Sequence, residues 1–326
     1  GCSRKDKGSI DLTYLKEAVD TGYCTIRPQT NVLRILGNNE DQISAIECFD
    51  GKSVYKIEVR NLIIAGGAIE TPRLLLLSKD DHSPNGIGND SGEVGKNFME
   101  TLFWTSSGIS NIKLESYRGL PADSICWDYN APDSIPNTIG GCRFSPSVIE
   151  ADLAGPEAYA TRVAGGWGKQ HKSDMARYFG NILSVSGIAE SIPHPKSHIL
   201  LSTTEQDVLG LPKAKISSYV DDLAIKRIEF MAKKCRQILE SLDVKIIEEH
   251  SAYDIFSSTH VFGTCRMGDN PKTSVVDPSC RSHRWNNLYI MDASVFPSSG
   301  GGESPGLTIQ AIALRAASKL AKRLKS

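Results

Sequence analysis

The stretch Leu62-Ile-Ile-Ala-Gly-Gly-Ala-Ile-Glu-Thr-Pro-Arg-Leu-Leu-Leu-Leu-Ser78 decides how the rest of the chain is read. An unbroken apolar run meets a pair of glycines, and a second apolar segment follows from Glu70-Thr71-Pro72. Strands covered on both faces are continuously apolar, and proline is tolerated in the first turn of a helix. The pattern therefore predicts a buried strand, a glycine turn and a helix that begins near Glu70. Backbone N–H groups at such a helix start can approach the phosphates of a dinucleotide. An ordinary strand-to-helix turn of any α/β protein has the same pattern, and the segment alone leaves both readings open.

Upstream, Ser9 to Gly22 carries Leu12, Leu15, Ala18 and Val19 at helical spacing, with Asp11 near its start. Three extended stretches follow, Cys24 to Leu36, Gln42 to Phe49 and Ser53 to Ile64. Gly37-Asn-Asn-Glu-Asp41 and Asp50-Gly51 separate them, which predicts a β-meander. Downstream, 79–95 reads as loop and about 100–215 as short strands and turns with one helix, Lys169 to Phe179. Between Asp221 and Leu242, the residues Ile225, Ile228, Ala232, Cys235, Leu239 and Leu242 make one apolar stripe opposite Lys and Arg, the mark of a helix packed on a core. A terminal helix spans 307–325, with a basic end that suits its C-terminal dipole.

A chain of 326 residues is long enough for two domains with buried cores. Its 37 basic and 38 acidic residues balance, which argues against a nucleic acid or other polyanionic partner. No apolar run approaches the ~18 residues needed to span a bilayer. The eight cysteines are scattered without a C-x2-C pair and read as buried or free thiols, which favours a reducing, cytoplasmic compartment. The chain begins with Gly1 and shows no signal peptide, so either a leader has been removed or this is a piece of something longer; a periplasmic location stays open.

Three pieces of the last quarter carry candidate chemistry: His260-Val-Phe-Gly-Thr-Cys-Arg-Met-Gly268, Asn287-Leu-Tyr-Ile-Met-Asp-Ala-Ser-Val-Phe-Pro297, and Ser304-Pro-Gly-Leu-Thr-Ile-Gln310. The first places a histidine before a glycine turn, and an imidazole with an ordinary pKa of about 6.5 is a natural proton acceptor near neutrality. The second is an apolar strand ending in an acid, Asp292, which can cap the following turn. A competing reading groups His260, Cys265, Cys280 and His283 as a tetrahedral zinc site, although no C-x2-C knuckle supports it and we assign no metal.

Taken together, residues 61–78 and 260–315 resemble the signatures of the glucose–methanol–choline (GMC) oxidoreductases, flavoenzymes that oxidise alcohols and sugars. Thr71-Pro-Arg-Leu-Leu-Leu-Leu-Ser78 matches the second family signature almost letter for letter. The resemblance implies an α/β (α+β overall) fold, with part of a Rossmann-like FAD-binding domain and a substrate domain built on an antiparallel sheet. Its expected boundaries are 1–78 for the partial FAD-binding domain, 79–259 for the substrate domain and 260–326 for a C-terminal FAD-domain segment. It implies FAD as cofactor, with Val32 at the adenine, Ala65, Gly66, Gly67 and Thr71 near the adenosine side, Asp292 and Ala293 against the ribityl and pyrophosphate, and Pro305, Leu307 and Thr308 beside the isoalloxazine. His260 would lie over the flavin as general base. Where the family usually has Asn or His as its partner, this chain has Ser304, which can still make one hydrogen bond with shorter reach; Glu303 could help.

Weaker matches lie between, at Val94-Gly-Lys-Asn-Phe-Met99, where Glu100-Thr101 replaces the family's Asp-His, and at Glu190 to Pro212. The family's first βαβ unit, with its G-x-G-x-x-G turn, is not found, and strand 61–65 would then present an open apolar edge. The resemblance therefore implies the C-terminal part of an FAD-dependent oxidoreductase acting on the CH–OH group of a sugar, polyol or other alcohol, completed by a separate or cleaved N-terminal FAD-binding chain. The alternative is a non-catalytic remnant or partner-binding subunit of the same fold. Trp104, Trp127, Tyr129 and Trp167 are aromatics suited to stacking on sugar faces or to core packing.

Overall fold

In the computed structural model, which describes residues 8–118, 124–148, 151, 153–252, 254, 260–301 and 304–325, the chain builds two packing centres on either side of residue 100. A short helix α1 (Tyr14–Asp20) precedes the antiparallel meander β1 (Asn31–Gly37), β2 (Ile43–Phe49) and β3 (Val54–Glu58). Helix α1 is shorter than the 9–22 spacing predicts and buries none of its residues, because Ile10 to Thr13 form turns ahead of it.

The meander also stops earlier than expected. Residues 62–64 leave it as β4 (Leu62–Ile64), which pairs in parallel with β13 (Leu288–Ile290). Asn287 makes this switch possible. Its Oδ1 accepts the Ile43 N–H at 2.7 Å, and its Nδ2 donates to the Ile43 and Arg60 carbonyls at 2.8 and 2.9 Å, so one buried amide ties the meander to the parallel pair. Trp285 fills the space beneath. Gly37 is required there, since a Cβ at that position would lie 2.3 Å from the indole.

Helix α2 (Gly67–Leu77) follows β4 and buries Ala68, Leu75 and Leu76. With α6 (Gly306–Arg323), which contributes Ala316 and Leu320, and with Phe262, Val276, Ile290 and Val295, it forms the larger core. Ile87, Val94 and Met99 belong to the same core.

The second centre is a four-stranded antiparallel sheet in the order β11 (Val244–Ser251), β6 (Leu102–Ser110), β8 (Ile182–Ala189), β7 (Cys142–Pro146). Helix α5 (Asp222–Ser241) lies on one face, packing Ile228, Met231, Cys235 and Leu239 against Leu102, Val185 and Val244. Asp221 caps it by accepting the Ala224 N–H at 2.7 Å. The predicted stripe is correct except at its end, where Leu242 is exposed, and it omits Arg227, which is buried. On the other face, the one-turn helix α3 (Pro156–Ala158), a π turn at Tyr159–Val163 and helix α4 (Gly168–Tyr178) cover Ile182. Hydroxyl pairs Thr105–Ser186 at 2.6 Å and Ser107–Ser184 at 2.8 Å cross the sheet between β6 and β8.

A hairpin, β9 (His198–Gln206) with β10 (Pro212–Ser217), and a two-residue ladder, β5 (Met99–Glu100) with β12 (Val261–Phe262), join the centres. Trp104 and Tyr129 pack against the core under α5, while Trp127 and Trp167 are exposed. Among the described residues no helix is long and apolar enough to cross a membrane.

Candidate functional site

The site is organised by a proline. Helix α2 starts at Gly67, a turn earlier than the sequence predicts, so Pro72 lies inside the helix rather than in its first turn. An interior proline has no N–H to give the carbonyl four residues before it. Here that carbonyl belongs to buried Ala68, and Thr264 Oγ1 donates to it at 2.7 Å. Thr264 is the hydroxyl of the His260-Val-Phe-Gly-Thr motif. The proline in one motif thus creates the acceptor that holds the other. The link is not visible in the sequence, because the two residues lie far apart in the chain.

Asp292 makes the second clamp. One carboxylate oxygen accepts from Thr71 Oγ1 at 2.6 Å and from the Gly67 N–H at 2.9 Å, and the other accepts from the Ser294 N–H at 2.8 Å. Thr71 Oγ1 in turn accepts the Gly66 N–H at 3.0 Å. Asp292 therefore caps the short 3-10 turn at Ala293–Val295 and also fixes the start of α2, where Gly67 takes a φ of 78° that disfavours any residue with a Cβ. The capping reading of this acid and its place beside the glycine turn hold together.

The His260 segment runs alongside. The Gly263, Cys265 and Met267 N–H groups donate to the Ala293, Ser294 and Val295 carbonyls at 3.2, 2.8 and 2.8 Å, and Phe262 stacks on Phe296. His260, half-buried, precedes β12 and accepts the Thr101 N–H on its carbonyl at 3.2 Å. Gly66, Gly67, Thr71, Asp292, Ala293 and the His260 strand are thereby brought into one bonded unit. Ser304, Leu307 and Thr308 are exposed around the start of α6, Pro305 is half-buried there, and Glu303 lies outside the described residues. Val32, Ile63 and Ala65 are exposed.

The zinc alternative has no such gathering. His283 Nε2 lies 2.8 Å from Ser274 Oγ, burial pushes the Cys265 thiol well above its ordinary range, and among the described residues no group of three or more potential ligands is placed for a metal ion. All seven described cysteines are unpaired.

Two family descriptions of GMC oxidoreductases match, one over residues 1–102 and the other, the C-terminal one, over 193–313. The chain belongs to the GMC oxidoreductase family. Among its relatives, the paromamine 6'-oxidase of Streptomyces fradiae is 30% identical over all of this chain and 57% of that protein. The 2-methyl-1,2-propanediol dehydrogenase of Mycolicibacterium austroafricanum is 29% identical over 82% of this chain and 49% of that protein. The fructose dehydrogenase large subunit of Gluconobacter japonicus is 26% identical over 92% and 54%. The chain thus spans about half the length of the curated relatives it matches. A solved formate oxidase of Aspergillus oryzae superposes with a TM-score of 0.69 at 15% identity, over 94% of this chain and 62% of that one, which shows a shared fold. FAD is the cofactor of this GMC family, as the resemblance implied.

Exposed Ala65 and Gly66 lead into the start of α2, and the turn is tight, since a Cβ on Gly66 would sit 3.1 Å from Thr71 Oγ1 and 3.2 Å from its backbone N. Two residues that the sequence did not single out also shape the region. Arg73 Nε donates to the Pro212 carbonyl at 2.8 Å and so anchors the β9–β10 hairpin on α2. Glu100 sits opposite Val261 on β5, buried, and desolvation raises its carboxyl to about 7.

Proposed function

We propose that this chain is the part of an FAD-dependent oxidoreductase that carries the proton-accepting side chain and oxidises a CH–OH group of a sugar, polyol or other alcohol. The observation that supports it most directly is the lock between Ala68, freed by Pro72, and Thr264, which binds the helix start proposed to face the cofactor to the strand that carries His260. Relatives named as oxidases or dehydrogenases of alcohols and sugars support the reaction class.

Ala65, Gly66 and Gly67 would hold the adenosine side of the cofactor, with Val32 at its adenine, Ala293 near its phosphates and Pro305, Leu307 and Thr308 at its ring system. Asp292, whose oxygens are taken by protein donors, acts on this surface by fixing Gly67. When bound, FAD supplies the acceptor for the hydride that leaves the carbinol carbon. His260 in its neutral form takes the hydroxyl proton through an imidazole nitrogen, so that charge does not build up on the oxygen as the hydride departs. The Thr101 N–H and the bonds of Gly263 and Thr264 hold that segment in place. Ser304 orients the substrate hydroxyl by one hydrogen bond. The exposed apolar Ile63 on β4 is where the rest of the dinucleotide-binding sheet would join, on the same or a separate polypeptide.

His260→Ala should lower turnover by roughly 10²–10⁴ while the flavin stays bound. Steady-state turnover against the visible flavin spectrum checks this; near-normal turnover would remove His260 from the role.

A further inference from the structure

A small cavity between the β5–β12 ladder and the start of α5 has no part in the chemistry above. Its volume is about 20 Å³, room for one water-sized group, and its wall includes Glu100, Ser197, Ser218, Tyr219, Asp221 and Arg227. Glu100 is only 6% exposed. Its Oε1 accepts from Ser218 Oγ at 2.8 Å, while Oε2 is buried with no hydrogen-bond partner among the described residues. A buried acceptor left in this state costs about 1–3 kcal/mol, more if charged, so the arrangement asks for a ligand that donates.

Both candidate catalytic segments border this cavity. Glu100 pairs with Val261, next to His260. Ser191, also in the wall, donates its N–H to Ser299 Oγ at 2.7 Å, in the loop that leads to Ser304. We propose that the cavity is a subsite for the ammonium group of an amine-bearing alcohol substrate, with Glu100 as its counter-charge. The inference rests on the alcohol-oxidising reading and specifies its substrate class.

An ammonium head is water-sized and carries three donors, and Glu100 Oε2 and the Ser197 and Ser218 hydroxyls can accept. Charge favours it as well. Arg227 also lines the wall: its Nη1 donates to the Ile139 carbonyl at 2.6 Å and to Thr138 Oγ1 at 3.1 Å, its Nε is buried without a hydrogen-bond partner among the described residues, and Asp221 and Glu190 lie close enough to offset its charge. Lys196 places its ammonium 4.5 Å from the Tyr219 ring centroid, and His194, which also lines the cavity, packs on the same ring. Water could fill the space and bond Oε2, but only a cation also repays the ionisation of a carboxyl that burial holds near 7. Binding must therefore expel a proton wherever the empty site is protonated, and affinity should fall about tenfold from pH 8 to pH 6.

The test is calorimetric titration of the flavin-loaded protein with glucamine and with sorbitol, which differ by an amine in place of a hydroxyl. We expect glucamine to bind at least tenfold tighter at pH 8, to lose about tenfold by pH 6 with release of a proton, and to lose its advantage in Glu100→Gln. Ser218→Ala, which keeps the carboxylate but removes its hydrogen bond, should change glucamine affinity and leave sorbitol alone, and it serves if Glu100→Gln does not fold. Equal binding of the two, binding of neither, or discrimination that survives these substitutions overturns the inference. Discrimination without any alcohol turnover would instead sink the oxidation reading alone.

Discussion

The four-stranded sheet and the β4–β13 pair are built in different ways. Strands β6 and β8 run for nine and eight residues, pair antiparallel along their length and are covered on both faces. Strands β4 and β13 have three residues each, pair in parallel across most of the chain, and leave Ile63 46% exposed. A parallel pair that short has little stability of its own. Side chains hold it: Asn287 to the meander, Asp292 to α2, Thr264 to the carbonyl that Pro72 frees. Regular pairing stabilises one region, and a few buried polar links hold the other, which carries the proposed chemistry. Sites that depend on close main-chain approach need such irregular geometry, and single polar residues become critical there.

The comparison breaks most visibly at Trp285, the fully buried ring under the meander. Trp285→Ala should cost ~3–5 kcal/mol. Chemical denaturation followed by near-ultraviolet circular dichroism would show whether the loss moves the whole transition or only a part that belongs to the larger core. Asp292→Ala removes two hydrogen bonds at the start of α2 and one in the 3-10 turn, and should cost about 3 kcal/mol in the same assay, together with weaker flavin retention.

Glu100 tests the joint between the regions through pH. Its carboxyl is raised from 4.5 to about 7, so the folded protein holds a proton that the unfolded chain has released across that window. Stability should be greatest below about 4.5 with respect to this group and fall on the order of 3 kcal/mol as pH rises through 7. Glu100→Gln should flatten that slope in denaturation curves taken between pH 5 and 8, and an unchanged slope would contradict the assignment. Thr264→Val leaves the Ala68 carbonyl buried without its donor and should cost ~1–3 kcal/mol. Adding Pro72→Ala restores a helical N–H for that carbonyl, so the double variant should recover part of the loss; strict additivity would disprove the link.

Much of the fold was legible because its signals are local. The glycine turn at 66–67, the meander and the stripe on α5 are set by neighbours in sequence, and so were the order of elements and the family. Long-range geometry was not. Nothing in Leu62-Ile-Ile distinguishes the end of a meander from a strand that pairs with 288–290, and the choice is made by Asn287. Pro72 read as a first-turn proline because Thr264, which makes an interior position tolerable, lies far away in the chain. Asp292 was legible as an acid that caps the turn after its strand, but its engagement with Thr71 and Gly67 appears only once the strands are paired. Glu100 was legible only as a departure from the family's Asp-His, and its burial with one unpartnered oxygen appears only in the fold.

The most direct test of the central claim is the visible absorption spectrum of the purified protein, recorded without air before and after an amine-bearing or neutral sugar alcohol is added. The account predicts a flavin band that bleaches with substrate in the parent protein and bleaches far more slowly in His260→Ala. A colourless protein, or a flavin band that no alcohol bleaches, would contradict it.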